Sequence, residues 1–211
     1  QLIVIEKGKT SQNFILDLGQ LGKTGIERKI FVESPKTFAQ EYKGRTTLWN
    51  LGYEAVTGSL VWNKNRDKLS NVQGDNCVPL LWAHNISDNS EIQLNESHPK
   101  KPQYVISSTY LSGPAIIVNR ITGSVGQGSL RCAIVPKEMN FLGENHVNVI
   151  RKRKGINQLV DWEQLLMLLR NPGINERIQK LTGNTQISCT ELTHFLPLDF
   201  DTGTVLETTL F

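Results

Sequence analysis

A chain of 211 residues, 38% of them hydrophobic, is long enough to bury one sizeable core. With no apolar run near the roughly 18 residues of a membrane span, it reads as a globular domain and not as a membrane protein. A net charge of +3 and a pI near 8.8 exclude the composition of a histone-like binder, so an acidic partner would have to be met by a local concentration of cations.

The opening "QLIVIEKGK" has neither a basic leader region nor a small-residue cleavage site, which points to a cytoplasmic protein. A start on Gln1 instead of Met fits a piece of something longer. Residues 1–40 read as short strands and turns, "LIVIEK", "NFILDLG" and "KIFVE", punctuated by Gly19, Gly22, Gly25 and Pro35. Thr46 or Thr47 can cap a short helix over "TLWNLGY" that ends near Gly52, and "EAVTGSLVW" reads as strand, glycine bend, strand. "CVPLLWAHNI" and "QYVISSTYL" are further strands, separated by a polar, proline-containing flexible loop over Ser87 to Pro102. "GPAIIVNRITGSVGQGSLRCAIVP" reads as a hairpin: one strand over Ala115 to Ile121, a loop with Gly123, Gly126 and Gly128, and a return strand over Leu130 to Val135. "ENHVNVI" is another strand, followed by "RKRKG" as an exposed turn.

From Asn157 the hydrophobic period becomes helical. Leu159, Trp162, Leu165, Leu166 and Leu169 fall on one face, Asn157 can cap, Asp161 sits in the first turn, and Asn171-Pro172-Gly173 ends the run. Ile174, Ile178 and Leu181 continue as a second helix to Gly183. "SCTE" has capping-box spacing before "LTHFLPL", which Pro197 breaks. The fold class expected is α+β: a twisted mixed, largely antiparallel sheet with short helices clustered in the C-terminal third.

Cys77, Cys132 and Cys189 are odd in number, far apart and without CxxC spacing, so they read as small reduced core residues. His84, His98, His146 and His194 show no ligand spacing, and no metal is expected. "GSVGQG" has phosphate-loop glycines but joins two strands and lacks the lysine. "LSGPA" and "GQGSL" do not supply a nucleophile elbow, "EIQLNES" and "DFDTG" offer acids without a partner cation, and "NPGI" lacks the aromatic of an adenine-methylating tetrapeptide. No catalytic centre is read in the chain.

Three motifs occur in an order with a counterpart elsewhere. "LGYEAVTGSLVWNKNRDKL" resembles the TG-x-L-V-W-N-(R/K) segment in the target-recognition region of adenine-specific DNA methyltransferases of restriction-modification systems. "GPAIIVNRITG" with "GENHVNVI" resembles its middle, and "LTGNTQISCTELTHFLPL" its end. The resemblance spans roughly Thr46 to Leu198 and is to the PstI and BsuBI type; its last part is also similar to the recognition domains of type I restriction specificity subunits. It implies a lead-in from a preceding catalytic domain over residues 1–44, a target-recognition domain over 45–198 and a tail over 199–211. The partners implied are double-stranded DNA and the catalytic methyltransferase domain of the same parent chain, with no membrane. No cofactor is expected in this chain, S-adenosylmethionine being held in the parent's catalytic domain. The alternative is a separate specificity module that bridges DNA to methylase or nuclease subunits.

The resemblance gives the cations and amides roles. Thr57, Gly58, Asn63, Lys64, Arg66 and Lys68 form the first DNA-facing group, presented by a strand that Val61 and Trp62 anchor in the core. Asn119, Arg120, Gln127 and Arg131 form the second, around the hairpin loop. Arg151, Lys152, Arg153 and Lys154 would touch phosphates without reading sequence. Glu144, Asn145 and His146 are candidates either for DNA contact or for satisfying buried backbone groups, and Asn184, Thr185 and Gln186 are read as a structural turn.

Overall fold

The computed structural model describes residues 14–200 apart from 22–23, 33, 43–44, 121–128 and 183–185. Strand "LIVIEK", the glycine loop of the hairpin, Asn184-Thr185 and the tail beyond residue 200 lie outside the described residues.

The run "AIIVN" shows how the molecule is layered. Strand β8 (Ala115–Asn119) is buried at every position, which a strand can be only when both faces of its sheet are covered. Its even positions Ile116 and Val118 enter one core with Leu165, Leu169, Ile178 and Leu192, and its odd positions Ala115 and Ile117 enter a second with Leu81, Phe141 and Val149. β8 lies in a four-stranded antiparallel sheet with β3 (Tyr53–Thr57), β11 (Val147–Lys152) and β9 (Cys132–Val135), in the order β3-β11-β8-β9. The register sets Asn148 opposite Thr57 and Val118, and Ile117 opposite Ala133.

A second sheet covers one face. It runs β4 (Leu69–Ser70), β6 (Tyr104–Ile106), β5 (Cys77–Leu81), β10 (Asn140–Gly143) and β7 (Leu111–Ser112) in that order, with β5 and β10 parallel and the other pairs antiparallel. Alternation on β5 and β10 divides them: Leu81 and Phe141 face the four-stranded sheet, while Val78, Leu80 and Leu142 join an outer cluster with Leu60, Trp82 and Val105. Helices cover the other face. They are α3 (Trp162–Leu169), α4 (Ile174–Thr182) and a short π-turn over Glu191–Phe195. A hairpin of β1 (Phe14–Asp17) and β2 (Lys29–Val32), with α1 (Leu18–Leu21) and α2 (Pro35–Tyr42), adds Leu18, Ile30, Val32 and Phe38 to that core, so the lead-in packs into the body at these side chains.

The α+β class with largely antiparallel sheets stands, but among the described residues the strands divide into three sheets instead of forming one. Several boundaries also differ. "TLWNLGY" closes a single turn, with the Leu51 N–H donating to the Thr47 carbonyl and Asn50 Oδ1 accepting from Thr47, because Gly52 at a φ of +89° leaves helical space at once. α3 begins four residues later than Asn157 suggests. Asp161 is its cap: its carboxylate accepts from Gln164 N while Gln164 Oε1 accepts from Asp161 N, a reciprocal capping box. Arg151 and Lys152 continue β11, so only the rest of "RKRKG" turns. Ser188 and Glu191 make the capping box their spacing predicts. The loop from Ser87 to Pro102 is tied at its base, where buried Asn85 donates to the Gln93 carbonyl and to Gln103 Oε1.

Candidate nucleic-acid interface

The segment after β3 changes sheets, and glycine makes the crossing possible. A Cβ on Gly58 would stand 2.1 Å from the Glu144 carbonyl oxygen, so only a bare backbone passes over Gly143 and Glu144. Leu60 then bridges to Glu144 in parallel and drops into the outer cluster of the five-stranded sheet. Gly58 therefore serves packing and is buried, not a DNA-facing residue. Beyond Leu60 the expected strand is absent: Trp62–Lys64 and Arg66–Lys68 are successive 3-10 turns, the first closed by Lys64 N–H donating to Val61 and reinforced by the Asn65 amide on the same carbonyl at 2.9 Å. Trp62 is half-buried rather than a core anchor; it packs on Trp82 at 6.2 Å between ring centres and carries the Arg66 guanidinium at 5.0 Å on its ring. Asn63, Lys64, Arg66 and Lys68 are exposed. Thr57 is exposed as well, with its hydroxyl 3.1 Å from the Cys189 sulfur.

In the hairpin, Asn119 is 2% exposed, its Oδ1 accepting from Arg131 N and its Nδ2 donating to the Ser129 carbonyl. That buried amide clamps the base of the loop, which counts against its place in the DNA-facing group. Arg120 is half-buried, with Nη1 3.4 Å from the Asn145 carbonyl. Arg131 reaches across to the Ala83 carbonyl at 3.2 Å. Gln127 lies outside the described residues. Glu144, 1% exposed, accepts from the His146 backbone and from its Nδ1 at 2.8 Å, so the carboxylate serves the turn.

Sequence reasoning missed the centre of this surface. Trp82 is 4% exposed and donates Nε1–H to the Pro102 carbonyl. Lys101 lies 5.6 Å over its ring, His84 follows it, and His98 packs on His84 at 4.7 Å between ring centres. Burial lowers the His84 pKa to about 4, and the charges of Lys101, His98 and Arg131 push in the same direction. Lys101 and Arg131 are the permanent charges that act on His84, and both are cations. The cation run "HPKK" was visible in the sequence; its convergence on "WAH" required the Asn85–Gln103 bond that folds the loop back.

The two predicted groups meet here. Asn145 donates its N–H to the Leu60 carbonyl and takes Arg120 on its own, while Arg131 grips Ala83 beside Trp82 and His84. Arg66, Lys101, Arg120 and Arg131 come from four separate stretches, and none is paired with a carboxylate among the described residues. A groove of about 740 Å³ opens beside the 3-10 turns, edged by Asn65 and Lys68 on one side and by Asn76, Ser107 and Thr109 on the other, and none of the four cations lines it.

The third predicted group lies elsewhere. Arg151 stands opposite Glu54 in the register, three residues along β11 from the pair Asn148–Thr57, or about 10 Å at the strand rise. It is ion-paired with Glu54 at 2.8 Å. Lys152 lies 5.9 Å over the Trp162 ring, and Arg153 stacks at 3.2 Å on Trp49, whose carbonyl it also holds. Of the four, Arg151, Lys152 and Lys154 are exposed. The three cysteines are free, but only Cys132 is fully buried; Cys77 and Cys189 are half-buried. Compared with protein families and with curated proteins, the chain matches none.

Proposed function

We propose that this chain recognises double-stranded DNA as the target-recognition domain of an adenine-specific DNA methyltransferase of a restriction-modification system, with catalysis and S-adenosylmethionine binding in a separate domain of the parent. The observation that carries the reading is the convergence of Arg66, Lys101, Arg120 and Arg131 around a Trp62–Trp82 platform, none of them ion-paired with a carboxylate among the described residues. Cations left unpaired on one face suit a phosphate backbone, and Asn63 and Arg66 are of the residue types that pair with adenine and guanine edges.

In this reading the 3-10 turns carry the base-reading side chains, and Arg131 with Lys101 holds the backbone. Fluorescence anisotropy with a labelled duplex tests it. Affinity should fall steeply with salt, with a slope of about −0.9 per phosphate contacted. Binding that is absent at low salt, or indifferent to salt, would remove DNA as the partner. Calorimetry with S-adenosylmethionine should give no saturable heat from this chain alone.

A further inference from the structure

We propose that His84, His98, Lys101 and Arg131 form a seat for a single phosphate group, in which the two imidazoles donate N–H bonds and the two cations balance its charge. The inference rests on the DNA reading only for where the phosphate comes from.

The protonation of His84 follows from its neighbours. Gln103 Oε1 accepts from Asn85 Nδ2 at 2.6 Å and from Asn95 N at 3.0 Å, which fixes the amide's orientation. Gln103 Nε2 therefore faces the Lys101 carbonyl at 2.6 Å and His84 Nε2 at 3.4 Å. An amide nitrogen only donates, so His84 Nε2 accepts, and the neutral ring carries its proton on Nδ1. That Nδ1 is buried and finds no acceptor among the described residues. A buried donor without an acceptor is costly to leave unmatched, and here it is surrounded by cations that would repel a second positive charge.

His98 completes the donor set by the same logic. Its Nδ1 accepts from Lys100 N at 3.2 Å, which leaves the neutral ring's proton on Nε2. The Arg131 guanidinium is pinned on the Ala83 carbonyl beside His84, and Lys101 is held over Trp82. Two imidazole N–H donors with one guanidinium and one ammonium match a tetrahedral dianion or a backbone phosphodiester. A metal cation is disfavoured, since the proton on Nδ1 occupies the lone pair that a metal would need. The low proton affinity of His84 keeps the ring a neutral donor through the physiological pH range.

The test is long-range 1H–15N spectroscopy of the histidine rings in the full chain, titrated with inorganic phosphate at constant ionic strength against chloride. His84 should show the Nδ1–H tautomer, and its Nδ1 resonance should move saturably with phosphate and not with chloride. Lys101→Gln with Arg131→Gln should weaken this at least tenfold, while Lys137→Gln on a distant turn should not. A duplex should move the same resonance, and the double variant should lower the salt slope of duplex binding by about 1 to 2. Phosphate acting on His84 while no duplex binds the chain even at low salt would identify a free anion as the ligand and remove the DNA reading. Duplex binding that leaves His84 unmoved and the double variant's slope intact would overturn the seat and leave the DNA reading standing. Finding the Nε2–H tautomer would overturn it as well.

Discussion

Asn119 and Gly58 both stood among the candidate DNA contacts, and both are held by the protein itself. Asn119→Ala would leave Arg131 N–H and the Ser129 carbonyl without their partner, a loss of about 1–3 kcal/mol that urea denaturation would measure. Gly58→Ala forces a Cβ into the Glu144 carbonyl and should cost at least about 1–3 kcal/mol, since the obstacle is backbone and cannot rotate away. His84 gives a pH dependence with a definite sign. Its folded-state pKa lies near 4, below the model-peptide value of 6.5, so between the two the unfolded chain binds a proton that the folded chain does not. Stability should therefore fall as pH drops through about 6.5 and level off near 4. Thermal midpoints between pH 7 and 4 should show a shallower decline in His84→Gln, with a residue from His194, which burial also depresses.

At the scale of elements, short segments were set by what they pack on. "SLVWNKNRDKL" bridges to Glu144 at Leu60 and joins β4 at Leu69, but no ladder is formed between those two points, and there the backbone closes its own hydrogen bonds as 3-10 turns. Trp62 then shields the rim of the outer cluster instead of filling it. Trp62→Ala should cost about 1–3 kcal/mol, less than the roughly 3–5 of a fully buried aromatic, and should free Arg66 from its ring. Arg66→Ala should leave stability nearly unchanged, and if the turns read bases it should relax sequence preference at one position of the site in the parent enzyme. α3 offers a contrast. Its cap was legible once the reciprocal pair Asp161 and Gln164 is given more weight than Asn157, and Asp161→Ala should lower stability by about 1 kcal/mol in thermal melts.

Across the whole molecule, three layers account for the sequence pattern. The four-stranded sheet lies between helices and a second sheet, so its strands β8 and β9 read as nearly unbroken apolar runs, while β5 and β10 divide their side chains between two cores. This layering brings Arg66, Lys101, Arg120 and Arg131 to one end of the body and leaves Arg151 to Lys154 further along β11. Charge removal at the two places should differ accordingly. If this face holds duplex, Arg131→Gln with Lys101→Gln should weaken the affinity strongly at low salt, whereas Arg151→Gln, already neutralised by Glu54, should weaken it little, as anisotropy titrations would show.

By itself the sequence determined the elements whose signals are local. The antiparallel hairpin of β8 and β9, the helical period from Trp162 to Leu181 and the box at Ser188 and Glu191 are each written in side chains a few residues apart. The mixed α+β class follows from those signals. Only the tertiary structure decided the partition into three sheets, the burial of Asn119 and Gly58, and the meeting of "WAH", "HPKK" and Arg131. These depend on contacts between residues distant in sequence, such as Asn85 with Gln103 and Gly58 with Glu144, and no periodicity or capping rule carries that information. A cation's function here rests on whether a carboxylate sits opposite it, which is a property of the folded surface and not of the run in which it is written.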